Sequence, residues 1–280
     1  MKLKSLLMAS AVIGTCLLPQ TLNAKDAADL RLYTIDCGNI KVKDANIMDT
    51  TDSYEGSLQL KASCYVIQHG DEYMLWDAGF NPEAIKSVTE DDMFQPKISE
   101  TIPESLERIG LNVSDISKIG ISHYHFDHIG QANTFKDAEL YIGAEDFDAL
   151  FGSEEAPEGM TPQFIDQWKD GENVFKVTEK TDVFDDGSVM IIPSHGHTPG
   201  HESLLVNLKN SGPHILVGDL WHFQDNFKHD RMPDFNTSME DTKHSMEEIK
   251  ALAEEHKAKL IIQHDPEHFR AMPALPAYLD

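Results

Sequence analysis

Between positions 123 and 128 the chain reads His123-Tyr124-His125-Phe126-Asp127-His128, three imidazoles and a carboxylate directly after the apolar run Ile119-Gly120-Ile121. A folding core has no use for that density of nitrogen ligands. In extended backbone alternate side chains share a face, so His123 and His125 can address one ion while Asp127 and His128, beyond a turn, reach a second. The C-terminal half repeats the handover from apolar run to ligand residues at His201, Asp219 and His264. The collected set is His123, His125, Asp127, His128, His201, Asp219 and His264. Five imidazoles and two carboxylates suffice for two ions of about four to five ligands each, if one carboxylate bridges and a water completes the shell. No thiolate stands among them, which argues against a structural zinc cluster. Nitrogen and oxygen ligands with an open water position are the arrangement for hydrolysis: two ions about 3.5 Å apart acidify a shared water and polarise a carbonyl. Two zinc ions are the expectation, although these ligands also accept manganese, cobalt or iron. His195 and His197 flank the set and read as supporting groups rather than ligands.

Strand-like runs deliver the chain to each of these places. Leu30 to Ile35 is followed by a polar, turn-rich segment, Lys41 to Gly56. Ser63 to Gln68 and Tyr73 to Trp76 flank His69-Gly70-Asp71-Glu72 as a hairpin. The second run ends in Asp77-Ala78-Gly79-Phe80, where Asp77 is either a brace for a neighbouring loop or a simple turn residue. Pro82 to Gln95 is irregular and reads as an insertion. Thr101 to Ile109 reads as a helix capped by Thr101 and stopped by Gly110, and Ser238 to Lys257 as a helix capped by Ser238, with Met239, Met246, Ile249 and Ala253 on one side. Lys118 to Ile121, Glu139 to Ile142, Val174 to Val177, Val189 to Ile192, Ser203 to Leu208, His214 to Val217 and Leu260 to Gln263 are further strands, and Ala144 to Phe151 a helix. Positions 152 to 172 form a loop or partial lid. Short strands with interspersed helices in each half predict two mixed sheets packed together under helices.

The ligand set, together with Asp77-Ala78-Gly79 and His197-Thr198-Pro199-Gly200-His201, resembles the metal-site pattern of the metallo-β-lactamase fold superfamily over most of the chain. The resemblance implies an α/β fold, the αβ/βα sandwich of two mixed sheets flanked by helices, with the site at one edge. It implies His123, His125 and His201 on one metal, Asp127, His128 and His264 on the other, and Asp219 bridging. His125-Phe126-Asp127-His128-Ile129-Gly130 and His264-Asp265-Pro266-Glu267 are similar to the N-acyl homoserine lactonases of quorum quenching. That likeness implies opening of a lactone ring by a hydroxide held between the metals, with Asp127 passing its proton to the leaving alkoxide. One departure matters: where that family carries a Tyr three residues after the bridging Asp, this chain has His222, whose N–H can donate the same hydrogen bond to a carbonyl oxygen. An acyl chain requires an apolar groove, for which Met48, Met93, Phe94, Phe126, Phe151 and Trp168 are candidates. A glyoxalase II-like thioesterase shares nearly the whole ligand set but takes an anionic substrate tail. The scattered Lys and Arg residues after Asp219 favour a neutral lactone.

Composition agrees with this class. In 280 residues, 40% hydrophobic content is ample for a core. Residues 1–24, with Lys2, Lys4, an apolar run from Leu6 to Leu18 and Ala24, read as a secretory leader preceding a single domain at 25–280. Lipidation at Cys16 fits less well, because Thr15 is a poor residue to precede a lipidated Cys. Loss of Lys2 and Lys4 with the leader takes the formal charge of −25 to −27. Such acidity excludes nucleic acid and anionic lipid as partners and, after cleavage, nothing remains to insert in a membrane. The expected location is periplasmic or secreted. Cys37 and Cys64 then either form a disulfide or remain as two buried thiols. The C-terminal helix and the exposed Met and Phe residues are compatible with a homodimer as well as a monomer.

Overall fold

The computed structural model describes residues 29–152 and 160–280, so the leader read at 1–24 lies outside the described residues. In chain order the elements are β1 (Leu30–Val42), β2 (Leu58–His69), β3 (Glu72–Trp76), β4 (Phe94–Lys97), α1 (Ile102–Glu107), β5 (Ile116–Ile121), α2 (Phe126–Ile129), β6 (Glu139–Gly143), α3 (Ala144–Phe151), β7 (Val174–Val177), β8 (Thr181–Asp182), β9 (Val189–Pro193), β10 (Glu202–Leu208), β11 (Gly212–Leu216), α4 (Gln224–His229), α5 (Met239–His256), β12 (Lys259–Ile261) and α6 (Pro266–Ala271). Seven strands form one sheet in the order β4-β1-β2-β3-β5-β6-β7, and five form the other in the order β12-β11-β10-β9-β8. Each sheet mixes directions: β3, β5, β6 and β7 run parallel, as do β11 and β12, and the remaining pairs are antiparallel.

Period-two alternation builds the layers. From the larger sheet Leu32, Ile67, Met74 and Trp76 meet Ile191, Leu204, Val206 and Leu216 of the smaller one, the apolar seam between sheets. The opposite face of the larger sheet, with Ile35, Val66, Leu75 and Ile119, packs against Ile102 and Leu106 of α1, Ile129 of α2 and Phe147 of α3. The opposite face of the smaller sheet, with Leu205, Ile215 and Val217, packs against Met246, Ile249 and Ala253 of α5. Thus Leu204 and Leu205, adjacent in sequence, serve different cores. The result is the αβ/βα sandwich.

Three local readings change. β1 runs on to Val42 through a bulge between Asp36 and Gly38. The stretch read as irregular ends in β4, which pairs with β1. Helices α4 and α6 are too short to show periodicity and stand where no element was read from the sequence. The helix read from Thr101 has its capping box, with Thr101 and Glu104 bonded reciprocally, and α5 has the Ser238 cap.

Cys37, in the β1 bulge, is joined to Cys64 on β2. Both sulfurs press on the turn after β3: a Cβ at Gly79 would stand 2.9 Å from Cys37 Sγ and 3.4 Å from Cys64 Sγ, and Gly79 has φ +55°. A cross-link spanning 27 residues restricts the unfolded chain by roughly 3 kcal/mol. We expect Cys37→Ala/Cys64→Ala to lower the free energy of urea unfolding by about that amount. Equal stability with and without reductant would show that the bridge contributes nothing.

Candidate metal centre

The ligand residues lie where strands end. His123 follows β5, Asp219 follows β11, His264 follows β12, and His197 sits in the loop between β9 and β10. Parallel directions place the carboxyl ends of β3 and β5 together in one sheet, and those of β11 and β12 in the other, a common location for ligand sites in α/β folds. Asp77, at the end of β3, has φ +61° and is fully buried. Its carboxylate accepts from Ser122 N at 2.7 Å, Ser122 Oγ at 2.9 Å, His128 Nδ1 at 3.0 Å and Gln263 Nε2 at 2.7 Å. Asp77 is therefore a brace, and four donors from both halves of the molecule hold it in a backbone conformation that a non-glycine residue rarely adopts. Asp146 performs the same service between loops. It accepts from Tyr124 N at 3.1 Å, Thr198 Oγ1 at 2.8 Å and Gly200 N at 2.6 Å. Burial nonetheless pushes its carboxyl up to about 7.

The supporting hydrogen bonds fix which ring nitrogens carry protons. His128 Nδ1–H donates to Asp77, and His264 Nδ1–H donates to Lys61 O at 2.5 Å. Ser122 Oγ spends its own hydrogen on Asp77, so it accepts from His123 Nδ1–H at 3.1 Å. His197 Nδ1–H donates to Asn236 Oδ1 at 2.7 Å. Each of these rings thus turns its Nε2 inward. His125 Nδ1 stands 2.9 Å from His123 Nε2 and 3.0 Å from His197 Nε2. Asp219 Oδ2 lies 3.4 Å from His197 Nε2 and 3.7 Å from His123 Nε2. On the other side, Asp219 Oδ1 is 3.1 Å from His264 Nε2 and 3.4 Å from His128 Nε2, and Asp127 Oδ2 is 3.5 Å and 3.7 Å from the same two nitrogens.

Two groups of lone pairs result, His123, His125, His197 with Asp219, and Asp127, His128, His264. The Asp219 carboxylate spans them, one oxygen to each. His128 Nε2 and Asp219 Oδ1 are buried with no hydrogen-bond partner, a debt that a cation would settle. Burial holds His123 and His197 well below the ordinary imidazole value and His125 at about 3, so they are neutral ligand donors. At His128 and His264 burial pulls the same way but the Asp219 carboxylate, with Asp127, outweighs it and raises both. A field that favours a proton there favours a metal ion equally. The donor set therefore fits two metal ions with nitrogen and oxygen ligands.

One expected ligand is displaced. His201 Nε2 accepts from the backbone N–H of Asp219 at 2.9 Å, and its Nδ1–H donates to Ser194 O at 2.9 Å, so neither nitrogen is free. Gly218, at φ +58°, makes that approach possible, since a Cβ there would stand 2.5 Å from His201 Nε2. His201 aims the Asp219 backbone. His197, read as a supporting group, occupies the position expected of it. His222 is at the centre: its Nε2 lies 3.1 Å from Asp219 Oδ2, its ring stacks on His264, and its Nδ1 is buried without a partner.

The expected groove is only partly present. Met48 is 1% exposed and Trp168 2%, the latter donating Nε1–H to Ala138 O; both are core. Phe151 packs on Phe147 against that same core. Met48 and Trp168 are removed from the groove by burial, and Phe151, half-buried, by its packing on Phe147. Phe126 and Phe94 are half-buried and face each other with ring centres 6.3 Å apart, and Met93, beside Phe94, is exposed. Missed in the sequence was Phe235, 40% exposed. Its ring stands edge-on to Phe94 at 6.3 Å, to His197 at 6.0 Å and to His222 at 6.1 Å. A lone Phe between Asp234 and Asn236 has no periodicity to announce it. Its one signal is position, 16 residues beyond Asp219 in a polar loop.

Comparison with known proteins follows this geometry. N-acyl homoserine lactonase AttM of Azorhizobium caulinodans is 25% identical over 274 residues, covering 90% of this chain and 99% of that protein. An N-acyl homoserine lactonase from a Bacillus species is 27% identical over 261 residues, 89% of this chain and 98% of that one. Among solved structures, an N-acyl homoserine lactone hydrolase holding N-hexanoyl-L-homoserine at its catalytic metal centre superposes with TM-score 0.77 at 22% identity, covering 90% of this chain and all of that one. AidC, a dizinc quorum-quenching lactonase, superposes with TM-score 0.66 at 18% identity over 86% of this chain and 89% of its own. The family model of the metallo-beta-lactamase superfamily matches residues 59–264, from β2 to His264, and the chain belongs to that superfamily.

Proposed function

We propose that this chain opens the ring of N-acyl homoserine lactones with two metal ions, zinc foremost. His123, His125, His197 and Asp219 would hold one ion, and Asp127, His128, His264 and Asp219 the other. The observation that carries the reading is the Asp219 carboxylate spanning two convergences of inward-facing donor atoms, with the aromatic row Phe235, Phe94 and Phe126 leading away from it. The names of the relatives support the choice of lactone. Bound ions would supply Lewis acidity toward an ester carbonyl and would acidify water.

The chain's own residues do the rest. Asp77, Ser122, Lys61 and Asn236 keep each imidazole proton on the outer nitrogen, so the inner lone pairs stay available. His222 places an N–H at the Asp219 carboxylate, beside the gap between the two groups, where it can turn to the carbonyl oxygen of a lactone. Ring opening adds hydroxide to the carbonyl carbon, breaks the carbon–oxygen ester bond and leaves an alkoxide. Asp127, flanked by His264 and His128, would take the proton that water loses in becoming hydroxide and pass it to the alkoxide, giving the alcohol. Phe235, Phe94 and Phe126 offer apolar surface to the acyl chain, with Met93 at the exposed end. The mature chain, 25–280, would act outside the cytoplasm, a reading supported by the leader-like composition of residues 1–24 and by the Cys37–Cys64 bridge, which persists there.

Hydrolysis of short and long N-acyl homoserine lactones beside a glutathione thioester tests the function. Turnover of the lactones that disappears with chelation and returns with zinc is expected; thioester cleavage alone would overturn the reading. Metal counting tests the ligands. We expect His197→Ala to hold fewer than two ions per chain, and His201→Gln, whose Oε1 still accepts from Asp219 N–H, to hold two; the reverse pattern would reject the assignment. His222→Phe should lower kcat by about 10²-fold, as loss of one oxyanion donor does, and unchanged turnover would remove His222 from the chemistry.

A further inference from the structure

The segment that leads into α5 grips His197 from three directions. Thr237 N donates to His197 O at 3.1 Å and Ser238 N donates to Gly196 O at 2.9 Å. Gly196, at φ +127°, lets this segment close in, since a Cβ there would stand 2.1 Å from Thr242 N. The third contact is to the ring. Asn236, 8% exposed, accepts from His197 Nδ1–H through Oδ1 at 2.7 Å and donates through Nδ2 to Thr242 Oγ1 at 3.1 Å. Thr242 spends its own hydroxyl hydrogen on Ser238 O at 2.7 Å, so its oxygen can only accept from Asn236. That chain of donors settles which way the amide points. Oδ1 must face His197, and the proton on His197 must be on Nδ1.

We propose that Asn236 is the positioning residue for the metal donor His197: by accepting from Nδ1–H it fixes both the tautomer and the rotation of the ring, and so sets the affinity of one metal position and not the other. Three other donor rings, His123, His128 and His264, are fixed by different partners, Ser122, Asp77 and the carbonyl of Lys61. Removing the Asn236 acceptor leaves those intact. The proposal rests on His197 being a metal donor, and it makes no use of the substrate.

Asn236→Leu, similar in volume and without an acceptor, and Asn236→Asp, which keeps Oδ1, test it. Zinc would be titrated against a chromophoric chelator, and the visible absorption of the cobalt(II)-substituted protein recorded for each variant. For Asn236→Leu we expect one of the two ions to bind about 10–100-fold more weakly, with the other unchanged and an altered cobalt spectrum. Asn236→Asp should restore both. Wild-type affinity and spectrum in Asn236→Leu would overturn the proposal. So would equal weakening of both ions together with a lowered melting temperature, since that pattern marks Asn236 as loop packing only. Because metal binding is the readout, the outcome is separate from whether lactones are the substrate.

Discussion

Everything at the centre depends on where the Asp219 carboxylate stands. Its two oxygens face opposite ways, Oδ2 to His123 and His197, Oδ1 to His128 and His264. A carboxylate that is only 3% exposed loses its hydration, and burying an ion without compensation costs several kcal/mol. Compensation comes from position: burial opposes ionisation of Asp219, but His264 and His128 beside it hold the carboxyl well below its ordinary range. His201 fixes that position by accepting from the Asp219 backbone N–H, so a histidine outside the two donor groups determines where the spanning carboxylate stands.

The two halves of the sandwich each supply part of the donor set. The larger sheet delivers His123, His125, Asp127 and His128; the smaller delivers His197, Asp219 and His264. Polar contacts stitch them at the same level: Gln263 donates to Asp77, and His264 is held through its ring and its carbonyl by the backbone of Lys61. A bound cation would attract both halves at once. Binding to the folded state alone would raise its stability by mass action, so a loaded centre would also help hold the sheets together.

The sequence displayed the centre well because its features are local. Three histidines and an aspartate in six residues after an apolar run are visible without a fold, and so are Asp77 and Asp219 at the ends of strand-like segments. His197 and His201 were not separable this way. Both lie in one loop, four residues apart, and which of them faces the ions is decided by Asp219 N–H and Asn236, groups far along the chain. The groove suffered from the same limit. Met48 and Trp168 sit in polar stretches and look exposed, yet β1, β2 and the α helices close over them. Phe235 looks incidental and is exposed at the centre. Burial of a single aromatic in a loop is a tertiary property, and only strands and helices announce their buried faces by period.

Phe235 and Asn236 are adjacent, and they face different partners. The ring of Phe235 touches the open side, edge-on to His222 and Phe94, while the amide of Asn236 turns inward to His197. Backbone bonds from Thr237 and Ser238 to the loop of His197 leave this pair little independent freedom. An apolar group pressing on Phe235 therefore acts on a segment that also orients a metal donor. His222, its ring stacked on that of His264, adds a second imidazole edge to the same wall. The open side of the centre is thus built from rings whose orientations are set by the donor groups behind them, so the shape presented to a substrate and the geometry offered to the metal are one property of this chain.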